Sequence, residues 1–374
     1  MRLTARIVQV CLVLLCFVAV EASSQGAQAQ LEEPIATITY ESGEIAIERD
    51  GQAAQNHDIG DPIYDDDQIT TGVSGTLTLG LHPITKMKGS MRLQENTSLV
   101  FRLNNLKGER QNESELVMGS VASKVSRIAG KPGFSVVSGE VACGVRGTEF
   151  EVTTSSSGDV LVGCAEGEVS CDSEGSSASA VPGQAVEKLE GIPLAPKSMD
   201  ASSYAEYRKK WVSDEEAAFV RNAPSAARLI LQRYSRLQKE LREARARVAE
   251  DHDLAKWMDE RMKGNEPSEA ELQAEARDLK DIHVRLEKAR HIDAQMRRVD
   301  AMVVELMKAI DRNDASLMGT TIRPGYTIGD FFAHFEETRA KDHKEALELR
   351  RAIKLYRRRI NRLELREAQE QTAG

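Results

Sequence analysis

Gly139–Gly167, GEVACGVRGTEFEVTTSSSGDVLVGCAEG, decides the fold of the first half of this chain. Val141, Cys143 and Val145 alternate with residues that need not be buried. Phe150 and Val152 do the same, and so, after a polar turn, do Val160, Val162 and Cys164. A period of two is that of half-buried strands with one face turned inward. Gly147 interrupts the run, and a glycine inside a strand pattern marks a bulge or the close approach of another backbone. Glu166-Gly167 reads as the tip of a tight hairpin into 168–171, because glycine accepts the positive φ that such turns require. On that reading Cys164 and Cys171 are diagonal neighbours on one face, able to form a strained disulfide, while Cys143 on a neighbouring strand competes for either. Three small buried hydrophobes are the alternative, and no histidine lies at ligand spacing for a zinc site.

The segment Val145, Arg146, Gly147, Thr148, Glu149, Phe150, followed by an alternating strand and then Glu166 and Gly167, resembles the signature of the FecR domain, named for the iron-citrate signalling regulator. Upstream, Ile59-Gly60-Asp61, Gln68 to Gly72 and the alternating TLTLGL of 76–81 look like the same family. Downstream, Val181-Pro182-Gly183-Gln184-Ala185 is similar to its closing segment. The resemblance runs from about Ile35 to Leu189. It implies a compact two-sheet, solenoid-like β-domain and names no catalytic residue, so neither activity nor cofactor follows from it.

The text around the motif agrees. Short period-two runs recur every eight to twelve residues from Ala36 to Leu189, separated by turns such as Asp50-Gly51, Lys88-Gly89 and Met118-Gly119. That rhythm leaves no room for crossover helices and predicts a β-sandwich, barrel or β-solenoid over 30–190, among which the resemblance implies the two-sheet, solenoid-like form. Ahead of it, Arg2, Arg6 and the apolar run Ile7–Val20 read as an export signal over 1–29, too short to span a bilayer as an ordinary helix, although retention as an anchor is the alternative. Residues 191–202, with Pro193 and Pro196, read as a linker.

After Asp200 the apolar period becomes seven. Ile230, Tyr234, Leu237, Leu241, Ala244 and Val248 form one seam, interrupted at Asp251. Leu279 to Ile310 carries a second, and Phe332 to Leu363 a third. Such seams predict long helices that bury one stripe against each other, here an antiparallel coiled-coil bundle or stalk over 203–370. Pro224 should break off a preliminary helix, and Ser268-x-x-Glu271 and Thr327-x-x-Asp330 should open later ones as capping boxes. A homo-oligomer sharing the same seams is the competing arrangement.

Charge is divided unevenly. Residues up to Asp200 carry twelve more acidic than basic side chains, and the remainder three more basic than acidic, within a net charge of −9. An acidic chain of this kind is not expected to bind nucleic acid. Asp65-Asp66-Asp67, with Asp61 and His57, could hold a hard cation but lacks the spacing of a calcium loop, and reads more simply as a solvated turn. Arg357-Arg358-Arg359, with Arg350, Arg351, Lys354, Arg362 and Arg366, could meet an anionic membrane surface or favour a helix C-terminus. Folding back onto the acidic β-domain is the third reading. His283 and His291, and His334 and His343, lie too far apart to share an ion.

No nucleophile elbow, zinc-protease helix or phosphate loop occurs. The sequence therefore predicts an exported, periplasmic or otherwise extracytoplasmic, non-enzymatic protein that binds an envelope protein or glycan through its β-domain. The resemblance adds the alternative of cell-surface signalling to an extracytoplasmic-function sigma factor. Regulators of that kind carry a cytoplasmic segment ahead of the membrane helix, whereas six residues precede the apolar run here.

Overall fold

The computed structural model describes residues 34–54, 56–82, 88–104, 111–126, 134–145, 147–199, 204–262, 268–275 and 279–373. The expected export signal at 1–29 and the motif residue Arg146 lie outside the described residues.

Between Ala36 and Ser198 the described strands pair in two sets. One set runs, in spatial order, 62–63, 36–42, 76–81, 89–93, 119–125, 149–154, 160–166, 184–188, 195–198. The other runs 52–53, 45–49, 68–71, 98–100, 111–118, 134–138, 141–145, 169–173, 176–180. The 15-residue strand Gln111–Val125 belongs to both. The expected turn at Met118-Gly119 is a bend inside it: Gly119 has φ +92°, and a Cβ there would lie 2.5 Å from Thr97. Both sets face one core, in which Leu77, Leu79, Val121, Val152 and Val162 meet Ile47, Ile69, Leu99, Val136 and Cys171. Burying each such side chain contributes about 1.5–3 kcal/mol.

This topology corrects the reading of the central stretch. Glu166-Gly167 is not a two-residue hairpin but a corner at which the chain leaves one set, at 160–166, for the other, at 169–173. Cys164 and Cys171 therefore belong to different sets and are not bonded; all three cysteines of the β-domain are free and buried. The paired neighbour of Cys171 is Cys143. The linker is also shorter than expected, because Ala195–Ser198 pairs with 184–187 as the last strand of its set. An extended run containing Pro196 is tolerated at such an edge, where no partner needs its missing N–H.

Six α-helices follow among the described residues: α1 Tyr204–Arg221, α2 Ala223–Glu250, α3 His252–Met262, α4 Glu269–Glu275, α5 Leu279–Asn313 and α6 Ile328–Ala373. Pro224 sits in the first turn of α2, where its missing N–H costs nothing. The break in the apolar seam at Asp251 is a real helix boundary, because its carboxylate accepts from the N–H groups of Asp253 and Leu254 and opens α3. Both expected capping boxes form, Ser268 with Glu271 and Thr327 with Asp330.

The start of α2 packs with the end of α5 and the start of α6, around Tyr234, Leu306 and Phe335. The end of α2 packs with the start of α5 and the middle of α6, around Leu241, Ile282 and Leu349. So α2 and α6 run alongside each other with α5 reversed, and the seams are filled within one chain. The helices do not project as a stalk: α5 and α6 lie against the β-domain. A small shared core of Trp211, Leu161 and Ala185 seats α1 on the strands 160–166 and 184–188.

Candidate functional site

The motif residues build a double corner. Val145 ends a strand of one set, Gly147 turns with φ +71°, and Phe150 enters the other set, where its ring meets Phe134 edge-on at 6.1 Å. Thr148 is buried between them, and Glu149 pairs with Lys124 at 2.6 Å on the surface. Gly167, φ +88°, presses on the same corner: a Cβ there would lie 2.6 Å from Thr148 Cγ2 and 2.9 Å from the Gly147 oxygen. The two glycines of the motif thus meet in one contact.

Charged side chains converge instead where the helices meet the β-domain. From the β-domain come Asp65 and Asp66 in a turn, Arg102 in a connection and Glu115 on the strand 111–125, and from the helices Asp293, Arg297, Arg350 and Arg357. Arg102 reaches Asp66 at 3.0 Å, Glu115 at 2.9 Å and Asp293 at 3.7 Å. Arg297 bridges Glu115 at 3.1 Å and Asp293 at 2.8 Å, and Arg350 adds a third contact to Asp293 at 2.8 Å. Arg357 takes Asp65 and Asp66 at 3.1 and 3.2 Å, and Lys354 takes Asp50 at 3.0 Å. Four carboxylates meet four guanidiniums, with Glu48 at the edge 3.6 Å from Arg350. Burial works against ionisation of Asp66, Glu115 and Asp293, but the guanidiniums outweigh it: Arg357 and Arg102 at Asp66, Arg297 and Arg102 at Glu115, and Arg297 and Arg350 at Asp293. All three carboxyls are held below the usual carboxylate range.

The expected cation-binding or solvated turn at Asp65-Asp66-Asp67 is therefore occupied by protein, with Asp67 taken by Arg49 at 2.8 Å. The basic run likewise turns inward. Lys354 and Arg357 face the β-domain, while Arg359 pairs with Glu260 at 2.8 Å and covers the Trp257 ring. Lys354 and Arg357 make the contacts that the folding-back reading expects. Arg351 is exposed. The histidines go separate ways: His283 stacks on Tyr356, and His343 lies 3.9 Å from Glu48.

Beside the cluster, between the β-domain, α2 and α5, is a cleft of about 360 Å³ whose lining includes Val137, Glu140, Lys188, Arg233 and Arg298. Arg298 donates to the Gly158 carbonyl, and its guanidinium passes where a Cβ on Gly139 would stand. It has no carboxylate at ion-pair distance among the described residues; Arg233, next to it, is taken by Glu190. Burial first, and then repulsion from Arg233, lower its pKa. Sequence reasoning missed this cleft, since nothing marks Arg298 among the many arginines of α5. Across the same seam, Ser157 Oγ donates to Asp159 at 2.6 Å and lies 3.4 Å from Glu215 of α1. Burial and the neighbouring Asp159 push the Glu215 carboxyl up to about 7.

Residues 67–170 match the model of the family described as FecR protein. The chain carries a FecR domain. The double corner of Gly147 and Gly167 lies inside the matched span, whereas every helix among the described residues lies outside it. No curated protein matches the chain. Two solved structures of a candidate anti-sigma factor from Parabacteroides distasonis are similar at 18% identity and a TM-score of 0.31 each. The alignments cover 37% of this chain and 62% and 63% of theirs, and a likeness this slight identifies neither fold nor activity.

Proposed function

We propose that this chain is a non-enzymatic, exported signalling component, whose FecR domain controls an extracytoplasmic-function sigma factor through contact with another protein. The observation that carries this reading is the FecR match over 67–170, which favours regulation over a general envelope scaffold. The two strand sets form a sandwich of the solenoid-like kind, and α2, α5 and α6 an antiparallel coiled-coil bundle folded onto it. The contact surface we assign is the mouth of the seam cleft, where the guanidinium of Arg298 would receive an acidic side chain of the partner. A carboxylate there would supply the countercharge that the fold leaves out.

Transcript profiling of the native host with and without this chain tests the reading. The expected result is a change concentrated on promoters that share one sigma-factor recognition pattern, restored by the wild-type chain. An unchanged transcriptome, together with retention of the chain on purified envelope glycan, would replace it with the scaffold reading.

A further inference from the structure

Cys143 and Cys171 face each other as directly paired residues on the antiparallel strands 141–145 and 169–173, with 3.7 Å between their sulfurs. Both are buried in the β-domain core. Cys164 enters that core from the other strand set, pairs in register with Phe150, and directs its thiol to the Glu166 carbonyl at 3.4 Å. The topology thus separates one facing pair from a third thiol in a way that spacing along the chain does not.

We propose that Cys143 and Cys171 form a disulfide, leaving Cys164 reduced. The bond would join the strands that lead into and away from the Gly147 and Gly167 corners, and so fix the double corner covalently. Reaching a sulfur–sulfur bond of about 2.05 Å requires the two sulfurs to close by less than 2 Å. Directly opposed residues of an antiparallel pair have Cβ atoms about 4.5–5.5 Å apart, so small side-chain and backbone adjustments suffice.

The chemistry is a thiol–disulfide exchange with a small or protein disulfide as oxidant. One thiolate attacks an oxidant sulfur and expels a thiolate from it. The second thiolate then attacks the resulting mixed disulfide and releases the other half. Two protons leave the cysteines, two electrons pass to the oxidant, and the oxidant ends as two thiols. In the finished fold the contact with the Cys171 sulfur, and then burial, raise the Cys143 thiol, and burial shields it, so the bond forms while the chain folds. The proposal draws on the exported reading only for the source of oxidant, and a purified chain tests it separately.

The full chain, refolded in mixed reduced and oxidised glutathione, is alkylated and cleaved after glutamate. Glu140, Glu149, Glu151, Glu166, Glu168 and Glu174 place each of the three β-domain cysteines on its own peptide, 141–149, 152–166 and 169–174, apart from Cys11 and Cys16. The expected product is 141–149 linked to 169–174, two hydrogens lighter than the separate peptides, with 152–166 alkylated. A link from 152–166 to 169–174, or alkylation of all three peptides, overturns the proposal. Melting gives a second readout. Reductant should lower the midpoint of the wild type and of Cys164→Ser by about 5–10 °C, and leave the double variant Cys143→Ser, Cys171→Ser unmoved. An equal response from all three would also overturn it.

Discussion

Arg357 of α6 donates to Asp65 at 3.1 Å, although the two stand 292 positions apart in the chain. Each residue belongs to a run that looks unpaired along the sequence, three aspartates in one case and three arginines in the other. Folding puts them in one seam with Arg102, Glu115, Asp293 and Arg297, where each charge has its counterpart.

Removing one member of such a buried cluster leaves the others uncompensated. Asp293→Asn, which weakens contacts to Arg297 and Arg350, should destabilise the chain by about 3–5 kcal/mol. Arg339→Ala, which breaks the more exposed pair with Asp300 at 2.9 Å, should cost about 1 kcal/mol or less. Urea unfolding of the two variants checks the contrast, and equal losses would contradict it.

Acid should separate the two halves. Asp66, Glu115 and Asp293 have folded pKa values below their unfolded ones. Their contribution is present above the ordinary carboxylate range of about 4 and is lost as pH falls through the depressed values. Trp211, buried at the seam with its Nε1 donating to Glu187 at 2.8 Å, reports the separation. In a Trp257→Phe background its emission should shift to longer wavelength below about pH 4.

Glu215 runs the other way. Its carboxyl is raised to about 7 in the folded chain, so the stability it contributes is present below its unfolded value and lost as pH rises through about 7. Docking of α1 should therefore loosen between weakly acidic and neutral pH. Glu215→Gln should abolish that dependence, which hydrogen exchange of α1 at pH 5 and pH 8 would measure.

Two glycines are held open by their neighbours. A Cβ on Gly163 would lie 2.2 Å from the Tyr204 ring, so Gly163→Ala should unseat the start of α1, and Tyr204→Ala should partly restore it. Gly167→Ala adds a positive φ to its clash with Thr148 and should cost at least about 1 kcal/mol, with no such remedy. Thermal melts of the three variants and of the Gly163–Tyr204 pair decide this.

Arg298→Ala tests the assigned contact surface. It should reduce crosslinking to the partner at the cleft by about tenfold or more while Trp211 emission stays at its wild-type position. Undiminished capture would move the contact elsewhere.

Secondary structure was written locally. The period-two runs around Val141 and Val160, the period-seven seams through Ile230 and Phe332, and the boxes at Ser268 and Thr327 need only neighbours within a few residues, and each was legible. The helix break at Asp251 showed as a gap in the seam, although its meaning as a cap did not. Which strand lies beside which was not legible, because a period of two gives the face of a strand without naming its sheet. The 164–171 hairpin was misread for that reason.

The sequence by itself determined that a region of short strands is followed by amphipathic helices, because apolar periodicity is set by the geometry of one element at a time. Tertiary structure alone decided that the helices lie along the β-domain, that Cys171 faces Cys143, and that Asp65 and Asp66 meet Arg357. Those relationships join residues far apart in the chain, and ion pairing and strand pairing carry no record of sequence distance.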